Sequence, residues 1–196
     1  MDRPSADLVE AVGGLLRADP ARALAVADRL RAPGRSFEST VSGMSMWPVL
    51  PPRSRIRVAL EPGVPPAVGE VVAFVAGGQI VVHRVVHRGS AGAARGHVVT
   101  LGDATLVPDP PVHETSLLGA VTGVRAAEGW VPPSGPQRRR LRARAVRALT
   151  TAVAVALLRL DPRAATRVLS GLHRAVGTLR GLGRGRPRSP DRHEPT

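Results

Sequence analysis

Val68-Gly69-Glu70-Val71-Val72-Ala73-Phe74-Val75-Ala76-Gly77-Gly78-Gln79-Ile80-Val81-Val82-His83-Arg84-Val85-Val86 is the stretch that decides how this chain folds. Two runs dense in Val flank Gly77-Gly78, and each is too short and too β-branched to read as a helix. A Gly-Gly pair between such runs supplies the positive φ of a two-residue hairpin turn, so residues 68–75 and 79–86 are predicted to pair antiparallel. The second strand carries one imidazole, His83, among Val side chains.

The same punctuation extends outward. Residues 55–60, 97–101 and 117–124 are short Val-rich runs bounded by Gly or Pro, and each reads as a strand. A loop over residues 103–115 holds Pro108, Pro110 and Pro111. The expected fold is therefore mainly β: a small, coiled, mostly antiparallel β-domain. Ahead of it, Leu8, Leu15, Leu16, Leu24, Val26 and Leu30 predict one or two short amphipathic helices before Pro33-Gly34. With 196 residues, 43% hydrophobic and 22% charged, the chain has material for one domain and an appendage.

Charge locates the appendage. All 28 basic side chains are Arg, and 15 of them lie from Gln137 onward against Asp161, Asp191 and Glu194, so this end holds +12 of a net +13. The Pro/Gly-rich stretch 131–136 is the natural linker. The expected organisation is an N-terminal helical segment over 1–36, a β-domain over 37–130, the linker, an Arg-rich helical hairpin over 137–182 and a disordered tail over 183–196. Within the hairpin, helices are predicted over 138–160 and 164–182, with Asp161-Pro162 as stop and restart. Leu141, Ala145, Leu149, Ala152 and Ala156 recur at helical spacing in the first.

Absences bound the chemistry. With no Lys, neither a Schiff base nor a serine-lysine dyad can operate, because guanidinium does not give up its proton near neutrality. With no Cys, thiol catalysis and thiolate zinc sites are excluded. The longest apolar run of the hairpin, residues 148–158, is too short to span a bilayer. Asp2, Asp7, Glu10, Arg17, Asp19 and Pro20 break any export-signal pattern. The expected location is the cytoplasm, with the Arg-rich hairpin read either as a peripheral contact to anionic membrane or as a solvated hairpin packed on the body.

Three polar groups on the β-domain stand out: Ser45 in Ser42-Gly43-Met44-Ser45-Met46-Trp47-Pro48, His83, and Asp103 in Gly102-Asp103-Ala104 with Asp109 downstream. Taken singly, each has an ordinary reading as a turn, a cap or a structural His. His83 and His87 share strand parity but would lie about 13 Å apart at roughly 3.3 Å per residue, too far for one ion. No metal site and no cofactor are expected.

Taken in order, Gly43-x-Ser45-Met46-x-Pro48-x-Leu50, Val68-Gly69-Glu70-Val71-Val72-Ala73-Phe74, Val82-His83-Arg84-Val85-Val86, Leu101-Gly102-Asp103-Ala104 and Leu118-Gly119-Ala120-Val121 resemble the type I signal peptidases, over roughly residues 40–124. Their fold is shared with the LexA-type self-cleaving repressors, and the resemblance implies it here. Most bacterial members use a Lys base. The His-Arg-Val reading around His83 resembles instead the archaeal, endoplasmic-reticulum and sporulation-type branch, in agreement with the absence of Lys.

By that resemblance Ser45 is the nucleophile, His83 the general base, Asp109 the acid that completes the relay, and Asp103 the Gly-Asp acid that holds the site together. The chemistry fits these types: neutral imidazole activates a hydroxyl, and a carboxylate on its far nitrogen fixes the tautomer. The resemblance implies a serine endopeptidase acting on a precursor peptide or protein with small residues before the cut. The Ser45 N–H is expected to be one oxyanion donor, whereas Ser42, three residues upstream, is not expected to be another. The chain departs from the family in having no recognisable anchor helix and in placing Glu70 where Asp is usual.

Two other readings compete. Self-cleavage would need a scissile bond upstream of Ser45, typically a small residue followed by Gly; Gly13-Gly14 and Pro33-Gly34 are present there, but no Ala-Gly is. An inert β-domain carrying a working Arg-rich module is the second. That module lacks aromatics for base stacking, so an anionic membrane is a better expected partner than nucleic acid.

Overall fold

The computed structural model describes residues 32–60, 65–76, 79–133 and 141–182, with Arg22, Ala25, Asp28 and Arg29, which are helical; the side chains of 141–144 and 176–182 are outside the description. The turn Gly77-Gly78, linker residues 134–136, the predicted tail and the rest of the N-terminal segment lie outside the described residues.

Eight strands form one antiparallel sheet: β1 Ser36–Thr40, β2 Arg55–Ala59, β3 Val71–Ala76, β4 Gln79–Arg88, β5 His97–Leu101, β6 Val112–His113, β7 Leu117–Ala126 and β8 Gly129–Val131. Their order is β1-β2-β7-β3-β4-β5-β6, with β8 on β7. The hairpin expectation holds in register, since Val72 faces His83 and Ala76 faces Gln79 across β3 and β4. Three short strands were not foreseen. β1 and β8 extend the sheet around β2 and β7, and β6 interrupts the segment expected to be loop from 103 to 115. Val131, assigned by sequence to the linker, ends β8.

β7 is the hinge of the sheet. Its first half pairs with β3 and its second with β2, and each pairing contains a register shift. Such bulges add twist and coil the sheet. Gly119 permits the crossing: a Cβ there would collide with the Ala59 carbonyl. β3 is apolar at successive positions because both of its faces are covered. Val71 and Ala73 join Phe37, Met46, Ile56 and Leu118 in one core, while Val72 and Phe74 join Val85, Val98 and Leu117 in another.

Two helices follow, α1 Leu141–Leu160 and α2 Pro162–Leu182. Asp161 makes the break, its carboxylate accepting the Arg163 N–H at 2.8 Å with Pro162 at the first helical position. Ala154 and Leu158 of α1 and Ala165 and Leu169 of α2 bury themselves against Ala94 and Val99 of the β-domain. The hairpin is thus packed on the body. The buried side of α1 runs through Arg147, Ala154 and Leu158, whereas Ala145, Leu149, Ala152 and Ala156, the positions that recur at helical spacing, face solvent. No helix among the described residues is long and apolar enough to cross a membrane.

Candidate active site

Ser45 sits in a tight turn in which Trp47 N–H donates to the Met44 carbonyl at 3.1 Å and Leu50 N–H to that of Met46 at 2.9 Å. Met46, fully buried in the core, pins the turn from below, and Ser45 is half-buried above it. The turn is also tied to the start of the 102–109 segment. Ala104 N–H donates to the Ser45 carbonyl at 2.5 Å, and Asp103 N–H to Met46 Sδ at 3.4 Å.

His83 is buried on β4, beside Phe74 with ring centroids 6.3 Å apart. Its Nδ1 is 2.5 Å from Asp109 Oδ2. A carboxylate only accepts, so Nδ1 carries the proton and the Nε2 lone pair is left facing away from Asp109. That nitrogen and Ser45 both border Gly102. A Cβ built on Gly102 would lie 2.9 Å from His83 Nε2 and 3.1 Å from Ser45 Cβ, so the two side chains flank one point that only a glycine leaves open. Ser45 Oγ and the Ser45 N–H have no hydrogen-bond partner among the described residues.

Asp109 is held as firmly as it holds His83. Thr100 Oγ1 donates to Asp109 Oδ2 at 2.7 Å, and Asp109 N–H donates to the Thr100 carbonyl at 2.8 Å. Asp103 lies apart from this relay, its carboxylate taken by Arg84 through Nε at 3.0 Å and Nη2 at 2.7 Å. Arg84 also donates to the Gly69 carbonyl at 2.7 Å, which ties the start of β3 to the site. Glu70 closes the turn before β3 by accepting the Ala67 N–H at 2.8 Å. Ser42 is exposed, upstream of the turn.

The four residues singled out by sequence therefore divide: Ser45, His83 and Asp109 converge, and Asp103 braces them through Arg84. Sequence reasoning missed Thr100, Arg84 and three hairpin residues that reach the same segment. Arg84 adjoins His83 in the quoted motif, but Thr100 is one strand Thr among Val side chains. Arg147, Thr150 and His173 carried no local signal. Among the described residues no three His, Asp or Glu side chains are grouped to hold a metal ion. His87 is separated from His83 by a bulge after Val85. Burial, and then the Arg159 charge, hold its imidazole below the ordinary His value.

The arrangement can deprotonate a hydroxyl, stabilise the imidazolium that forms and return the proton to a leaving group. No protein-family model matches the chain, and no curated protein or solved structure matches it either.

Proposed function

We propose that the protein is a serine endopeptidase of the signal-peptidase type, with the fold that family shares with the LexA-type repressors, cutting a precursor peptide or protein. One observation carries the reading: the His83 Nδ1–H is bound by buried Asp109 while Nε2 and the Ser45 side chain both border the space left open at Gly102. The ordered blocks around Ser45, His83, Gly102-Asp103 and Leu118-Gly119 support the same family. Ser45 Oγ attacks the scissile carbonyl as its proton passes to His83 Nε2. Asp109 stabilises the imidazolium, which then protonates the departing amine, and water hydrolyses the acyl-enzyme by the reverse path. The Ser45 N–H donates to the oxyanion.

The test is labelling of the purified full chain by a serine-directed fluorophosphonate at pH values of about 5 to 9, which bracket the reference His pKa. Labelling of the wild type that rises with deprotonation of a His and is lost in Ser45→Ala and His83→Ala supports the reading. A folded wild type that is not labelled at any pH overturns it and leaves the hairpin as the working part.

A second element of function has its own observation. Val146, Leu149, Val153 and Leu160 are 44–80% exposed on the outer side of α1. A helix apolar on both sides needs a second cover. We infer that the cover is the anionic leaflet of a membrane, because the described hairpin holds a single acidic residue, Asp161, and the chain from Gln137 onward carries +12, which opposes pairing with a second copy. Vesicles of mixed phosphatidylglycerol and phosphatidylcholine should bind the chain in low salt. Binding should fall with added salt and in Leu149→Glu/Val153→Glu. Failure to bind overturns the inference, and concentration-dependent self-association would assign the face to a second copy.

A further inference from the structure

The segment from Gly102 to Asp109 connects the two halves of the site, since it backs Ser45 at one end and delivers the acid to His83 at the other. It runs between β5 and β6 without a strand partner, so its carbonyls must find donors elsewhere. Thr105 supplies two to the Gly102 carbonyl from within the segment, its N–H and its Oγ1, each at 3.0 Å, and the hairpin supplies the others described here. Arg147 is 7% exposed, and its Nη1 stands 2.9 Å from the Gly102 carbonyl, 3.1 Å from that of Asp103 and 2.8 Å from that of Thr105. One turn on, Thr150 Oγ1 donates to the Leu106 carbonyl at 2.7 Å. From α2, His173 Nε2 donates to the Pro108 carbonyl at 2.8 Å, immediately before Asp109.

The structure assigns to Arg147 the part of a positioning residue for the proposed peptidase site, with Thr150 and His173 completing the grip. The inference rests on that functional reading. Three carbonyl dipoles converge on one cationic nitrogen, an arrangement that bends the chain at Gly102–Thr105 and aims Gly102 into the gap between Ser45 and His83. The downstream anchors then set the path that brings Asp109 under the imidazole. The three side chains hold the backbone carbonyls of the segment and act through that backbone. In this view the Arg-rich hairpin is a structural part of the catalytic unit, and its packed face is as functional as its basic one.

The test uses the full chain with Arg147→Met, Arg147→Lys, Thr150→Val and His173→Phe, and Arg163→Met as an exposed control. Two readouts are taken on protein shown to be folded by its thermal transition. One is the far-downfield proton resonance of the His83 Nδ1–H, identified by its loss in Asp109→Asn, which reports the relay with no need for activity. The other is the rate of Ser45 labelling as a function of pH.

Arg147→Met is expected to lose the resonance, slow labelling per folded molecule by about 100-fold and change its pH profile toward that of Asp109→Asn. Arg147→Lys, whose ammonium brings three donors to the same carbonyls, should recover part of both, and Arg163→Met should change neither. A folded Arg147→Met with the wild-type resonance and pH profile overturns the inference. If Arg147→Met does not fold, the Lys, Thr150 and His173 variants decide by the same two readouts, and unchanged values in all three overturn it. A wild type that shows the resonance but no labelling defeats the peptidase reading and leaves the positioning of Asp109 to be judged on the resonance alone.

Discussion

Asp109 reaches His83 from a loop 26 residues further along the chain and stands 2.5 Å from its Nδ1, with Thr100 sharing the same carboxylate oxygen at 2.7 Å. The consequence is a defined tautomer: a proton on Nδ1 and a lone pair on Nε2. Asp109→Asn presents an amide that can donate to Nδ1 and so favours the opposite tautomer. Labelling of Ser45 should then fall by as much as about 10⁴-fold with the fold retained. Labelling at the wild-type rate would remove Asp109 from the relay.

Gly102→Ala tests the meeting point of Ser45 and His83. Its methyl group would lie 2.7 Å from the Ser45 carbonyl oxygen and 2.9 Å from His83 Nε2, in a region where neighbouring backbone must move. Overpacking of this kind destabilises by about 1–3 kcal/mol, and labelling should be lost even where urea unfolding shows the protein folded. Gly171→Ala is the contrast. Its added Cβ meets nothing within 4 Å inside α2, so the midpoint should rise, by about 1 kcal/mol of added stability.

Arg84 and Asp103 form a two-point ion pair with side chains 17% and 1% exposed. Removing one partner strands the other in a buried setting. Asp103→Leu or Arg84→Met alone should lower stability by about 3–5 kcal/mol in urea titrations, and the double substitution should recover much of the loss. A double variant as unstable as the sum of the singles would show that the pair is not coupled in this way.

His87 supplies a pH dependence separate from the site. Its folded-state pKa is lowered, by burial first and by Arg159 second, so over the window between that value and the ordinary one the unfolded chain binds more protons than the folded chain. Stability from this group is fully present above the ordinary His value and is lost as pH falls through the window. Thermal unfolding from pH 7.5 down to about 5.5, a span chosen around the reference pKa, should show a smaller acid loss in His87→Gln than in the wild type. Arg159→Met should also reduce it. Equal slopes in all three proteins would place the acid sensitivity elsewhere.

Much of the β-domain was legible because its signals are local. The Val-rich runs around Gly77-Gly78, the strand over 97–101 and the Asp161-Pro162 break all follow from residue type and spacing. β1, β6 and β8 were not legible. They are short edge segments of five, two and three residues, and their pairing comes from neighbours distant in sequence.

The site divides along the same line. Ser45, His83 and Asp109 are chemical types that a sequence displays openly, and a quoted motif was enough to nominate them. Their convergence depends on tertiary contacts: the Ser45 turn pinned by Met46, the gap left at Gly102, and the Gly102–Asp109 path. The α1 face shows why. A helix with no charge from Ala148 to Leu158 has two apolar sides, and periodicity alone cannot rank them. Packing against Ala94 and Val99 chose the side with Ala154 and Leu158, which turned Arg147 inward onto three carbonyls. Residue types and spacing thus set the strands, helices and candidate chemistry, while the burial of one helix face against the sheet set which groups meet, because that choice is made by long-range packing energy that no local pattern encodes.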